Sequence, residues 1–349
     1  MNKPVNFMSV YFREFDGYGH SALEMVRALM NQDVDVRPRV RQSVDPTLPK
    51  EMRRLIERIT DKGPIEADTV IYYCLPPMFY HYEDTYEVGF TQFEASRLPD
   101  FWVENIEMMT ECWTTCDALV EVFKQSGVTI PLYTVPLGVR ADRYKPVRRK
   151  KEKPFVFMHT GLPEHRKGYD LVIKAYRKAF LKHHDDIRLC LKGFGIPEEL
   201  NRRQPMGIDF VLGRTPLNRL MELYKRAQAF VYPSRGEGWG MIPLEAICTG
   251  LPTIITPYLG MSEFAHLATH QLNYELVDAD YYEHLLPCGE WAEPAIDDIA
   301  DAMVDIYDNY EEYEEQAYEN ALKAASEFSW ERSGEIIKKH LTRIWGDMV

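Results

Sequence analysis

The chain has 349 residues, 45% of them hydrophobic and 27% charged, with a formal net charge of −13. Those values describe a soluble globular protein long enough for two domains with real cores. The acidity argues against non-specific affinity for nucleic acid or an anionic membrane, because both rest on neutralising phosphates. No stretch approaches the length of a membrane span, and the N-terminus MNKPVNFMSVYF lacks the apolar segment of a signal peptide, so a cytoplasmic protein is expected. The six cysteines are scattered in mostly apolar surroundings. Cys112-Trp-Thr-Thr-Cys116 has no second Cys or His pair to complete a zinc set, so buried reduced thiols and no metal site are expected.

Residues 6–12 read as a first strand, followed by Phe15-Asp16-Gly17-Tyr18-Gly19-His20 and an amphipathic helix over 21–30. Strand, glycine turn and helix open a dinucleotide-like α/β unit. Residues 33–40 form a second strand, 51–60 have helical spacing, and 69–74 are a buried strand. Arg37, Arg39 and Arg41 are candidates for a local basic cleft, whereas His81 reads as structural and Tyr80, Tyr82 and Tyr86 as packing residues. The segment YEVGFTQFEASRLP, 86–99, precedes Trp102 and a helix to about 109, and 135–139 read as the last strand and turn of the first half. Residues 145–154 are charged and bracketed by prolines, which places a domain boundary there, with Arg148 to Lys151 as a solvated linker.

The second half restarts the same grammar. A strand at 155–159, a loop at 161–168 and a helix at 169–180 are followed by strands at 187–192 and 209–212 and a helix at 217–226. Then comes AFVYPSRGEGWGMIPLEAICTGLPTIITPYLGMSE, 229–263: an apolar strand, a glycine-rich turn, a helix from Met241 with Pro243 in its first turn, and a further strand after Gly250 and Pro252. This layout offers backbone N–H groups and a helix N-terminus to a phosphate. Glu237 in the loop and Glu245 in the helix can each accept two hydrogen bonds from neighbouring hydroxyls, as a ribose diol or a sugar edge would supply. Strands alternating with helices predict parallel sheets covered on both faces. Residues 296–307 and 308–328 read as helices, with 308–315 a solvated acidic face, and Phe328-Ser329-Trp330-Glu331 caps a last helix ending near Trp345.

Pro233-Ser234-Arg-Gly-Glu237-Gly238-Trp-Gly240, then Glu245-Ala246 and Gly250-Leu-Pro252, resembles the donor-binding signature of retaining, nucleotide-sugar-dependent glycosyltransferases of family 4. The resemblance implies an α/β chain of GT-B fold: two Rossmann-like domains, 1–146 and 147–328, facing a central cleft, with a C-terminal helix, 329–349, crossing back to the first. It implies that Glu237 meets the donor sugar and Glu245 the ribose, with Ser234, Gly236, Gly238 and Gly240 shaping the donor loop. Arg166 and Lys167, in His165-Arg166-Lys167-Gly168, resemble the family's phosphate-binding Arg and Lys. The sequence departs from the family in having Leu162 where many relatives carry Arg. Gly17 and Gly19 would lie beside the donor phosphates, and His20, Thr91 and Glu94 would face the cleft and the acceptor. The resemblance further implies retention at the anomeric carbon, a UDP- or GDP-sugar as substrate, no cofactor and no divalent metal. Two other readings stay open: glycosylation of a modified base in viral DNA, and sugar-nucleotide binding without turnover. A related sugar phosphorylase is disfavoured because no segment suggests a pyridoxal lysine. Nucleobase, sugar, acceptor and oligomeric state are not specified by the sequence.

Overall fold

The computed structural model describes residues 3–9, 17–40, 50–60, 67–180, 182, 185–193, 195, 206–279 and 288–347. The chain forms two compact units. One comprises Met1–Phe93, Arg97–Gly138 and Phe328–Val349, the other Glu94–Ser96 and Val139–Glu327.

The first unit is built on six parallel strands: β1 (Val5–Ser9), β2 (Val36–Val40), β3 (Thr69–Tyr73), β4 (Tyr86–Phe90), β5 (Glu111–Thr114) and β6 (Leu132–Thr134), in the order β2-β1-β3-β4-β5-β6. Every residue of β3 is buried, as expected of a strand covered on both faces. Its described helices are α1 (Gly17–Asn31), α2 (Lys50–Thr60), α3 (Asp100–Ile106) and α4 (Asp117–Gln125), joined by the C-terminal helix α10 (Trp330–Asp347). Ser329 caps α10 by accepting the Arg332 N–H at 3.2 Å. Two polar contacts tie α10 to this unit: Lys338 donates to the Gln32 carbonyl at 2.7 Å, and Arg343 reaches both oxygens of the fully buried Glu111 at 2.7 and 2.8 Å.

The second unit has β7 (Phe155–Thr160), β8 (Ile187–Gly193), β9 (Ile208–Leu212), β10 (Ala229–Tyr232), β11 (Thr253–Ile255) and β12 (His270–Gln271), in the order β12-β11-β10-β7-β8-β9. Its helices are α5 (Tyr169–Phe180), α6 (Leu217–Arg226), α7 (Met241–Cys248), α8 (Ile296–Asp308) and α9 (Tyr310–Glu327), and β13 (Tyr274–Asp278) pairs antiparallel with β14 (Glu290–Pro294). The core lies where α5 and α8 cover the sheet through Val172, Ala175, Tyr176, Ile299 and Met303 against Phe157, Leu189 and Val231.

The structure corrects several expectations. The second unit takes in Val139 onward, earlier than the expected boundary, and within the charged run Arg149 is held by that unit while Arg148, Lys150 and Lys151 are exposed. Arg149 donates to the carbonyls of Val147 and Thr249 at 2.8 Å and of Tyr224 at 3.1 Å, and its N–H meets Glu314 at 2.7 Å. Glu314 is correspondingly buried within a stretch expected to be a solvated face. The last strand of the first sheet is 132–134, not 135–139. Tyr80 and Tyr82 are exposed rather than packed. All six cysteines are buried.

Candidate functional site

In the second sheet the chain runs from β7 outward to β8 and β9, then returns to the other side of β7 for β10. Strand order therefore reverses between β7 and β10, the position at which open parallel sheets receive ligands beyond the strands' carboxyl ends. The loops there are 161–168 after β7 and 233–240 after β10, the two segments carrying the basic pair and the glycine-rich signature.

Residues His165–Lys167 make one 3-10 turn, closed by Gly168 at φ 72°. A Cβ on Gly168 would fall 2.2 Å from the Pro233 carbonyl oxygen, so only glycine lets the two loops meet. The Arg166 carbonyl accepts the Arg235 N–H at 2.7 Å and the Ser234 hydroxyl at 3.1 Å. In return, Arg166 donates to the Gly236 carbonyl at 2.6 Å and Lys167 donates to Glu237 Oε1 at 2.6 Å. Ser234 and Tyr232 donate to the same oxygen at 2.9 and 3.0 Å, and Arg166 Nη1 lies 3.4 Å from it. All of these contacts fall on Oε1, which fixes the carboxylate plane and leaves Oε2 outside the set.

Glu94 reaches this site from a segment that counts with the second unit by contact. Its carbonyl oxygen occupies the space of a side chain at Gly236, only 2.0 Å from where a Cβ would stand. Its carboxylate is 4.0 Å from Arg166, and Glu164 is 3.8 Å from the same guanidinium. Three carboxylates thus surround two cations. Burial alone would raise the Glu237 carboxyl, but the charges of Lys167 and Arg166, with hydrogen bonds from Lys167 and Ser234, hold it down at about 2. Lys167 also moves down, because burial and the neighbouring Arg166 charge outweigh its attraction to Glu237 and Glu94. Two cations converge on the Glu237 carboxylate, which keeps it ionised. Beneath the loops, His159 is buried, donates Nδ1–H to the Val231 carbonyl at 2.9 Å and stacks on Tyr232. Burial pushes its pKa down to about 4, so it is neutral at physiological pH.

Gly238 and Gly240 are buried, and Gly240 starts α7. Glu245 stands half-buried on that helix. Burial pushes its carboxyl up to about 8, against a hydrogen bond from Tyr144 and the charges of Arg143 and Lys192. The switch point thus holds two carboxyls of opposite character, Glu237 ionised throughout and Glu245 poised to titrate.

Gly17, Gly19, His20 and Thr91 belong to the first unit. Both glycines lie in the first turn of α1 rather than in a loop before it, with the Ser21 hydroxyl on the Gly17 carbonyl at 2.6 Å. His20 is half-buried on the same helix. Thr91 is buried and shares a 3.3 Å hydrogen bond with Tyr18. His81 pairs with the buried Glu87 at 2.7 Å, a structural contact. Arg37 spends Nε and Nη2 on the Asp35 carboxylate, each at 2.9 Å; the Arg39 side chain and Arg41 lie outside the described residues. Tyr144, Lys192, Tyr232 and Arg235 are site residues that sequence reasoning missed. Of these only Arg235 carried a signal, a cation within the signature itself.

Residues 141–324 match the family profile described as glycosyl transferases group 1. The chain belongs to that family. The matched span takes in Arg166, Lys167, Glu237 and Glu245, whereas Glu94 lies outside it. The chain is 23% identical over 245 residues to an uncharacterized protein of Sulfolobus islandicus rod-shaped virus 1, covering 64% of this chain and 66% of that protein. It is 26% identical over 177 residues to the D-inositol 3-phosphate glycosyltransferase of Acidothermus cellulolyticus, covering 44% of this chain and 39% of that enzyme. The chain therefore spans less than two thirds of the length of these curated relatives. Anabaena HepE, crystallised in complex with UDP-glucose, matches 98% of this chain and 100% of its own with a TM-score of 0.67 at 13% identity. That likeness shows the fold, which is GT-B.

Proposed function

We propose that this protein is a retaining glycosyltransferase that moves a sugar from a UDP- or GDP-linked donor to a hydroxyl acceptor. The observation carrying this reading is the switch point itself, where a basic turn, two helix N-termini and the carboxyls of Glu237 and Glu245 lie on the loops and helices beyond β7 and β10. The donor diphosphate lies against Arg166, Lys167 and the N-termini of α5 and α7, its oxygens replacing Glu94 and Glu164 at Arg166 while Lys167 keeps its hydrogen bond to Glu237. Glu245 accepts from the ribose hydroxyls. Glu237, its Oε1 locked, turns Oε2 to the donor sugar. The bond between the anomeric carbon and the phosphate oxygen breaks with its electron pair moving to the phosphate, where the cations stabilise the charge. The acceptor oxygen bonds to the same face of the anomeric carbon and its proton passes to the departing phosphate. HepE's bound UDP-glucose supports a uridine donor as the first to try.

The direct test is to incubate the protein with UDP-glucose, UDP-N-acetylglucosamine and GDP-mannose and follow nucleoside diphosphate release, with the product's anomeric configuration read by NMR. Release from one donor, with retained configuration and loss in Glu237→Gln, is expected. Tight donor binding without release makes the protein a sugar-nucleotide binder, and inverted product removes the retaining mechanism. Nothing in the described residues favours a DNA acceptor, since Arg37 is engaged by Asp35.

A further inference from the structure

Arg235 stands within the glycine-rich signature, one residue from Ser234 and two from Glu237, where a cation reads naturally as another phosphate ligand. Its geometry says otherwise. The residue is 1% exposed. Nε donates to Glu293 and Nη2 donates to the second Glu293 oxygen at 2.9 Å. Nη1 donates to the His165 carbonyl and to Asp170 Oδ1 at 3.0 Å, and Nη2 also to Asp170 Oδ2 at 3.3 Å. A guanidinium has five N–H donors, and these five contacts occupy all of them. None is left to meet a ligand.

What those contacts hold is the basic turn. The guanidinium grips the His165 carbonyl at the start of the turn and Asp170 in the first turn of α5, while the Arg235 backbone N–H holds the Arg166 carbonyl at 2.7 Å. From the other side it is fixed by Glu293 on β14, whose neighbour Ala292 donates its N–H to the Arg235 carbonyl at 2.9 Å. Asp170 is held well within the ionised range: burial raises its carboxyl, but the hydrogen bonds and charge of Arg235 lower it further. Both carboxylates are acceptor-only, and their planes match the guanidinium fork. Loop 161–168, loop 233–240 and β14 are thus cross-linked through one side chain.

We propose that Arg235 is a positioning residue that sets Arg166 and Lys167 at the spacing a diphosphate requires, without touching the ligand. This inference rests on the donor-site reading of that turn. The substrate's diphosphate feels Arg235 only through the placement of the two cations, so its loss is specific to phosphate binding and coupled to Lys167.

The test compares wild type, Arg235→Lys, Lys167→Met and the double variant in calorimetric titrations with UDP, GDP and ADP and with the matching nucleosides. Arg235→Lys keeps the charge but not the fork. The expected result is a loss of about tenfold or more in affinity for the nucleoside diphosphate, in line with the steep dependence of such sites on placement, with nucleoside affinity unchanged. Lys167→Met and the double variant should then bind the diphosphate about equally. If Arg235→Lys does not fold, Glu293→Gln, which leaves Asp170 and His165 in place, should give a smaller loss in the same direction. Unchanged diphosphate affinity in the folded variant, equal losses for nucleoside and diphosphate, or additive losses with Lys167→Met overturn the proposal. If wild type binds none of the three diphosphates, the donor-site reading itself fails, a separate outcome.

Discussion

Glu237 and Glu245 lie eight positions apart in one signature, yet their surroundings drive them in opposite directions. The depressed carboxyl of Glu237, at about 2, contributes stability that is present above its ordinary value and is lost as pH falls towards 2. Glu245, raised to about 8, has the opposite sign: its contribution is full below its ordinary value and is lost as pH rises through about 8. Only the ionised form of Glu245 offers both oxygens as acceptors to the two hydroxyls of a ribose diol. Nucleotide binding therefore releases a proton below that value, and affinity should rise by up to about tenfold per unit between about pH 6 and 8 and then level off. Glu245→Gln should show only the dependence contributed by the phosphates. Calorimetry across the range checks this; parallel pH profiles for the two proteins would remove Glu245 from the ribose.

Among the elements, the meeting of loops 161–168 and 233–240 is the least tolerant of change. Gly168 combines a left-handed conformation with a backbone oxygen 2.2 Å from any added Cβ, and that oxygen belongs to a loop itself hydrogen-bonded to the Arg166 carbonyl. Gly168→Ala should lower unfolding stability by about 3 kcal/mol, from backbone strain and overpacking together. Chemical denaturation measures it, and a change below about 1 kcal/mol would mean that the loops separate easily. The helix α7 that follows is legible for related reasons: Pro243 sits in its first turn, and its apolar residues other than Glu245 suit burial against the sheet.

For the whole molecule, strand-and-helix alternation sufficed to foresee two parallel sheets, because strands buried on both faces show as apolar runs such as Phe155–Thr160 and Ala229–Tyr232. The antiparallel pair of Tyr274–Asp278 with Glu290–Pro294 left no such mark; Tyr274–Asp278 is exposed along its length and carries no clean alternation. Arg149 misled because a half-buried arginine among carbonyls and a solvated one look alike in sequence. The switch-point residues were foreseen through motif resemblance rather than pattern. Lys167 stands seventy residues from Glu237, with Arg166 beside it, and only the parallel pairing of β7 with β10 explains why they meet. Glu94 also reaches the site, through backbone packing at Gly236 that no spacing rule would reveal.

The central claim is that this switch point holds a nucleoside diphosphate. A thermal-shift screen of wild type, Glu245→Ala and Lys167→Ala against UDP, GDP, ADP and their sugar conjugates tests it most directly. A ligand present at about 100 times its dissociation constant should stabilise the wild type by roughly 2.7 kcal/mol. One nucleotide shifting the wild type, with the shift lost in both variants, is the predicted result; a shift that survives in both, or no shift from any nucleotide in a folded protein, contradicts the account.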